Sequence, residues 1–301
     1  QNKTVIQGLT PDENAGGIDP RAEKAVTGIL YPPKHKKGEK HMKDVFNLTD
    51  KVAVIIGGGG GIGGAIAKGY AYYGAKVIIS GRTEATLQAK AEEIKEEIGK
   101  EIDYMCADST VPADVAKLRD DIVAKYGTVD ILVNAQGINR KFAAAESVEH
   151  IAEWDEMFNT NVRSMLLCCV EFGKVMIEKR YGKIINISSI RGARALTAPG
   201  NNVGYGSTKG AVNMMTEYLA GEWGQYNVTV NAIGPIVTIT PMMLKLGVSQ
   251  QVLDVFKKKV PMGRAGEPDD NIGPALFLGS DLSSFVTGQI IYPDGGMWCV
   301  G

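Results

Sequence analysis

The sequence predicts an α/β protein: a doubly wound parallel seven-stranded sheet, the Rossmann fold, with helices on both faces. Two observations carry this. From Lys51 onward, short β-branched runs alternate with helical patterns, and that alternation marks strand–helix–strand units joined by right-handed crossovers. The first run, Val52-Ala53-Val54-Ile55-Ile56, passes directly into Gly57-Gly58-Gly59-Gly60-Gly61-Ile62-Gly63. A strand, a glycine loop and a helix start in that order make a pyrophosphate site, because unprotected N–H groups and the positive end of the helix dipole face the anion.

Residues 1–45 stand apart. Pro11, Pro20, Pro32 and Pro33 break any helix, and Lys34-His35-Lys36-Lys37 is a basic run. The segment reads as an N-terminal arm, a strap over its own subunit or a neighbour, with a poorly ordered tail as the alternative. Met42 is an alternative start. Residues 46–301 then make a single domain. Strands are expected at 52–56, 76–80, 103–107, 130–135, 183–188, 228–233 and 289–293. Helices are expected at 62–73, 83–98, 111–126, about 151–180, from 204, as a pair within 240–258, and after Pro268. Met242, Met243 and Leu244 lie in that pair, which is expected to be a mobile lid.

The balance of 44% hydrophobic and 22% charged residues is ordinary for a globular chain. A net charge of −1 points to neither nucleic acid nor an anionic membrane as partner. The apolar runs are too short to span a bilayer, and no signal-peptide core opens the chain. Cys106, Cys168, Cys169 and Cys299 have no metal-ligand spacing and read as reduced thiols of a cytoplasmic protein.

Five consecutive glycines each cost about 0.5–1 kcal/mol in backbone entropy, more than a mere turn needs. The second strand ends Ser80-Gly81-Arg82 without the acid that would hold a ribose 2′-hydroxyl. Gly81 leaves room and Arg82 offers a planar fork to a 2′-phosphate, so NADP is preferred, with NAD as the alternative. An arginine capping a strand is the plainer reading. Asp108 is placed to accept from the adenine amine, or to cap the next helix.

The catalytic stretch is Tyr205-Gly206-Ser207-Thr208-Lys209. Val212, Met215, Leu219 and Trp223 continue it at steps of three and four, so Tyr205 and Lys209 share one helix face. A phenol near pKa 10 is a poor acid or base at neutral pH. A lysine cation beside it favours the phenolate and draws that pKa down.

With these residues in hand, the chain resembles the short-chain dehydrogenase/reductase family from residue 46 to the end. The match rests on Gly57 to Gly63, Asn134-Ala135-Gln136-Gly137, Asn161, Ser188-Ser189, Tyr205 with Lys209, Asn231 with Pro235, and Asp294-Gly295-Gly296. The resemblance implies that Tyr205 exchanges the proton of the carbonyl or alcohol oxygen and that Ser189 hydrogen-bonds that oxygen. It implies that Lys209 tunes Tyr205 and binds the nicotinamide ribose, and that Asn161 holds a water behind Lys209. To the cofactor it assigns Gly57, Gly59, Gly60, Gly61, Ile62, Gly63, Gly81, Arg82, Asp108, Asn134, Gly137, Tyr205, Lys209, Pro235, Val237 and Thr238. It also implies a homotetramer built on the Tyr205 helix and the last strand.

Several positions depart from the family pattern. Ile56 replaces a bracing Thr, Ala135-Gln136 replace Asn-Ala, Gly60 stands where NADP users carry a basic residue, and Ile236 follows Pro235 where Gly is usual. The segment between Ser189 and Tyr205 is long. Two loops at the nicotinamide end are cationic, Arg140-Lys141 and Arg191 with Arg194. Together with Trp298 they look like the family's sugar-acid dehydrogenases, such as gluconate 5-dehydrogenase, so an anionic keto or hydroxy acid is the expected small-molecule substrate. Solvated surface charge is the alternative. The rival functions are a 3-oxoacyl-carrier or other ketone reductase, and a non-catalytic NADP(H) sensor.

Overall fold

The computed structural model describes residues 46–195, 202–241, 243 and 250–300. The N-terminal arm, part of the long segment before Tyr205, and Met242 and Leu244 of the expected lid lie outside them.

Seven strands form one sheet: β1 (Val52–Ile56), β2 (Lys76–Gly81), β3 (Asp103–Cys106), β4 (Ile131–Asn134), β5 (Gly182–Ile187), β6 (Val228–Ile233) and β7 (Ile290–Ile291). Their order is β3-β2-β1-β4-β5-β6-β7, and every neighbouring pair is parallel. The strands are nearly continuous apolar runs because helices cover both faces, and their side chains alternate between two cores. Val52, Val54 and Ile56 of β1 join one core with Val115, Phe172 and Val212. Ala53 and Ile55 join the other with Ile66, Leu87 and Leu276.

The first face carries α3 (Pro112–Tyr126), α5 (Ser164–Lys179) and α6 (Val203–Trp223); the second carries α1 (Gly61–Tyr72), α2 (Glu84–Ile98) and α8 (Ile272–Gly279). The expected long helix near 151–180 is α4 (Ile151–Phe158) and α5 joined by a π-helical turn over Asn159–Arg163. Of the lid, α7 (Gln250–Lys259) is described. β7 is shorter than the expected 289–293. The N–H of Gln289 donates to the Asn231 side chain at 3.0 Å, so a side chain takes the place of the backbone ladder there. None of the described helices is long and apolar enough to cross a membrane.

In a parallel sheet, all strands end on the same side. The glycine loop after β1, residues 135–140 after β4, Ser188 and Ser189 after β5, and residues 234–238 after β6 therefore gather at one edge. The strand order reverses between β1 and β4, which is where such sheets bind ligands.

Candidate active site

The loop after β1 is shaped for an anion. Gly57 has φ +77°, and a Cβ on it would stand 2.7 Å from the backbone N of Gln136. A Cβ on Gly63 would stand 2.5 Å from the Gly57 carbonyl oxygen. The first helical bond of α1 runs from the Gly64 N–H to Gly60 O at 2.8 Å. The N–H groups of Gly61, Ile62 and Gly63 thus have no intrahelical acceptor, and the first turn carries no acidic residue. A pyrophosphate fits this cradle. Thr240 closes over it, since a Cβ on Gly61 would meet its Cγ2 at 2.9 Å. Gly57→Ala is expected to destabilise the fold by on the order of 2 kcal/mol, from left-handed strain and the clash, and to abolish dinucleotide binding. Thermal unfolding and a fluorescence titration with NADPH and NADH check this.

At the tip of β2, the exposed Arg82 makes no ion pair among the described residues. Asp108 accepts from the Thr110 N–H at 2.9 Å and its hydroxyl at 2.8 Å. Burial raises its pKa, but these bonds and the Arg82 charge outweigh it and hold the carboxyl below its usual range. Asp108 therefore braces the turn into α3, which is the capping alternative raised above. Ile56, where a bracing Thr was expected, is 3% exposed and belongs to the core.

Asn134, expected at the cofactor, has its side chain engaged within the sheet. Its side chain is fully buried and donates to Asn186 Oδ1 at 3.0 Å and Cys169 Sγ at 3.3 Å. It ties β4 to β5 and α5 instead of facing the cleft, because residue 134 shares the side of the sheet that Leu132 presents to α5. Gln136 finds its replacement bond by donating to Ser164 Oγ at 3.3 Å. Gly137 does reach the site: a Cβ there would stand 3.4 Å from Asn161 Oδ1 and 3.6 Å from Lys209 Nζ.

Ser189, Tyr205 and Lys209 come together at the ends of β5 and the start of α6. The Ser189 hydroxyl lies near enough to the Tyr205 phenol to favour its ionised form. Its Oγ also accepts from the Arg191 N–H at 3.2 Å and donates to Pro235 O at 3.4 Å. Lys209 is buried, with Nζ 2.7 Å from the Ile187 carbonyl oxygen and 5.6 Å from the Tyr205 ring centre. Burial lowers the Lys209 pKa to about 8.

The expectation that Lys209 draws the phenol's pKa down is not what the geometry yields. Burial pushes the Tyr205 phenol above its ordinary value, and the groups opposing it are the Ser189 hydroxyl and the Arg191 charge. The penalty on burying a phenolate exceeds what those neighbours return. A protonated phenol at neutral pH is the form that donates a proton.

Asn161 sits within the π turn and is fully buried. Its side chain accepts from the Ile138 N–H at 2.8 Å and donates to Ile138 O at 2.9 Å and Thr208 Oγ1 at 3.0 Å. Thr208 was missed in the sequence. Its hydroxyl donates to Tyr205 O at 2.8 Å and so couples Asn161 to α6. Its spacing of three from Tyr205 was the available signal. Asn213 was missed too; it accepts from Ser188 Oγ at 2.5 Å one turn beyond Lys209. Among the loop residues, Pro235 offers its carbonyl to Ser189, Val237 is half-buried, and Thr238 donates to Ile236 O at 2.9 Å.

The three arginines differ. Arg140 is engaged in a bidentate pair with Glu156, both contacts 2.9 Å, on a side chain 44% exposed. Its fork thus holds a carboxylate at the surface. The Arg194 guanidinium lies 4.3 Å over the Trp298 ring, which stacks on Tyr292 at 4.8 Å. Arg191 is half-buried beside Ser189.

A glycine cradle at a sheet switch point, with Ser, Tyr and Lys beyond it, defines a nicotinamide-dependent oxidoreductase of alcohols and ketones. The chain belongs to the short-chain dehydrogenase/reductase family: the family profile described as Enoyl-(Acyl carrier protein) reductase matches residues 57–298. It is 36% identical over 250 residues to a 3-oxoacyl-(acyl-carrier-protein) reductase of Chlamydia trachomatis, covering 83% of this chain and 98% of the relative. It is 34% identical over 261 residues to the gluconate 5-dehydrogenase of Gluconobacter oxydans, covering 84% and 97%. Among solved structures, a gluconate 5-dehydrogenase of Burkholderia cenocepacia in complex with NADP and tartrate is 32% identical. It superposes with a TM-score of 0.80 over 87% of this chain and 100% of that one.

Proposed function

We propose that the protein is an NADP(H)-dependent oxidoreductase that interconverts a secondary alcohol and a ketone on a hydroxy or keto acid, of the sugar-acid kind. The observation that carries this is the convergence of Ser189, Tyr205 and Lys209 beside Arg191, which has no acidic partner among the described residues. The bound dinucleotide would supply or receive the hydride. The cradle at Gly57 to Gly63 would hold its pyrophosphate, with Gly81 and Arg82 at the adenosine end and Gly137, Pro235, Val237 and Thr238 towards the nicotinamide.

In the direction of reduction, the Tyr205 hydroxyl gives its proton to the carbonyl oxygen as that oxygen gains negative charge. Ser189 donates a hydrogen bond to the same oxygen and stabilises it. Ser189 and the Arg191 charge favour the resulting phenolate, and Lys209, held by Ile187 O, would bind the nicotinamide ribose. Asn161, fixed by Ile138 and Thr208, orients a water that returns a proton along Lys209. In oxidation each proton moves the other way.

Spectrophotometric rates with NADPH and NADH, across keto acids and uncharged ketones, test the reading; activity confined to uncharged ketones overturns the acid assignment. NADP is supported by Arg82 and by the dinucleotide in the Burkholderia relative. Arg82→Gln is expected to weaken NADPH binding about 10- to 100-fold, the loss of a charge-assisted contact, with NADH unchanged. Equal loss for both dinucleotides in a fluorescence titration would contradict the choice. A second reading, a 3-oxoacyl-carrier reductase, is favoured by the Chlamydia relative. It predicts turnover of acyl thioesters in preference to free acids.

The same proposal takes residues 46–301 as one catalytic domain behind an N-terminal arm, in a cytoplasmic homotetramer. The four free cysteines support a reducing compartment. Exposed Met214 and Tyr218 on α6, and Phe285 before β7, support subunit contacts at those elements.

A further inference from the structure

We propose that Arg191 recognises the substrate's acid group, and that it selects acids whose carboxylate lies within one or two bonds of the reacting carbon. This rests on the acid-substrate reading above and narrows it to one arginine and one class, the 2-oxo and 3-oxo acids with their hydroxy counterparts.

The cationic loops offer three arginines, and two are already engaged. Arg140 has both nitrogens of its fork on Glu156. Arg194 lies over Trp298, itself stacked on Tyr292. Arg191 has neither a carboxylate nor a ring partner among the described residues. It is nonetheless half-buried, where a charge without a counter-ion is costly. Such a cost persists where an anion is meant to arrive.

Its position limits where that anion can be. The Arg191 N–H donates to Ser189 Oγ at 3.2 Å, and its carbonyl oxygen lies 3.4 Å from where a Cβ on Gly206 would stand. The residue is therefore wedged between Ser189 and the first turn of α6. Its backbone is thus fixed against Ser189 and the first turn of α6, which brings the hydroxyl pair within the side chain's reach, and its charge and the Tyr205 phenol influence each other. With a carbonyl oxygen gripped by Ser189 and Tyr205, the neighbouring carbons would fall within reach of this side chain. A carboxylate there can be met by two parallel N–H bonds. A carboxylate at the far end of a sugar chain extends past it.

The test uses the full chain saturated with NADP+ or, separately, NADPH. Malonate and its uncharged analogue malonamide are titrated calorimetrically into the wild type, Arg191→Gln, Arg191→Lys and Arg140→Gln. Malonate is expected to bind the wild type and malonamide not to. Arg191→Gln is expected to weaken malonate about 10- to 100-fold, Arg191→Lys to recover part of that because an ammonium cannot fork, and Arg140→Gln to change it by less than about twofold. Steady-state rates on a 2-oxo acid and its amide should then show Arg191→Gln raising KM for the acid alone, with kcat largely kept.

Absence of malonate binding to the wild type overturns the proposal. So does equal binding by Arg191→Gln, or a loss that falls on Arg140→Gln instead. A wild type that turns over keto acids with Arg191→Gln unaffected sinks this inference and leaves the acid reading intact. One that reduces only uncharged ketones sinks both.

Discussion

Tyr205→Phe is expected to lower kcat by about 10²–10⁴-fold, the usual contribution of a positioned general acid. The phenol is the acid beside Ser189 at the end of β5, and burial keeps it protonated at neutral pH. Phenylalanine keeps the ring and its packing but has no proton to give. Dinucleotide affinity and Tm should be nearly unchanged, because the cradle at Gly57 to Gly63 and the two cores do not involve the hydroxyl. A drop in kcat with unaltered NADPH binding is the signature to look for. Full turnover in the variant would mean that another group supplies the proton, and Ser189 would be the first to examine.

The second large effect concerns Lys209, where activity and stability should move in opposite directions. The residue is 3% exposed, and burial lowers its pKa from 10.5 to about 8. Below pH 8 the residue is charged in both the folded and unfolded chain, so the folded state bears the whole desolvation cost. Between about pH 8 and 10.5 the folded protein releases the proton while the unfolded chain still holds it, and stability rises through that window. The shift corresponds to about 3 kcal/mol.

Lys209→Met removes that cost together with the hydrogen bond to Ile187 O, which is worth about 1 kcal/mol net. The variant should therefore be inactive yet more stable than the wild type at pH 7, by about 1–2 kcal/mol. The advantage should vanish by about pH 10.5. Denaturant unfolding at the two pH values checks it. A variant less stable at pH 7 would show that the ammonium is better solvated in the fold than its burial implies.

Much of this site was legible before any coordinates. The strand, loop and helix start from Val52 to Tyr72 follow from apolar runs and glycines whose constraints are local. Tyr205 and Lys209 share a face because helical periodicity puts them there, and the helix from Val203 to Trp223 contains both. The seven strands came out in place, with errors at the ends, as at β7, where Asn231 rather than the backbone accepts from Gln289. The π turn at Asn161 was read as ordinary helix, because its extra residue per turn leaves no mark in a pattern of apolar spacing.

What the sequence by itself determined was the order of elements, the parallel sheet, the glycine cradle and the set of groups able to move a proton. Each depends on neighbours along the chain or on the two periodicities of strand and helix. Only the tertiary structure decided how those groups are partnered. It assigned Asn134 to the core, Arg140 to Glu156 and Arg194 to Trp298, and it left Arg191 beside the phenol. It also reversed the expected shift of Tyr205, since desolvation depends on everything packed around a group, and no stretch of sequence contains that sum.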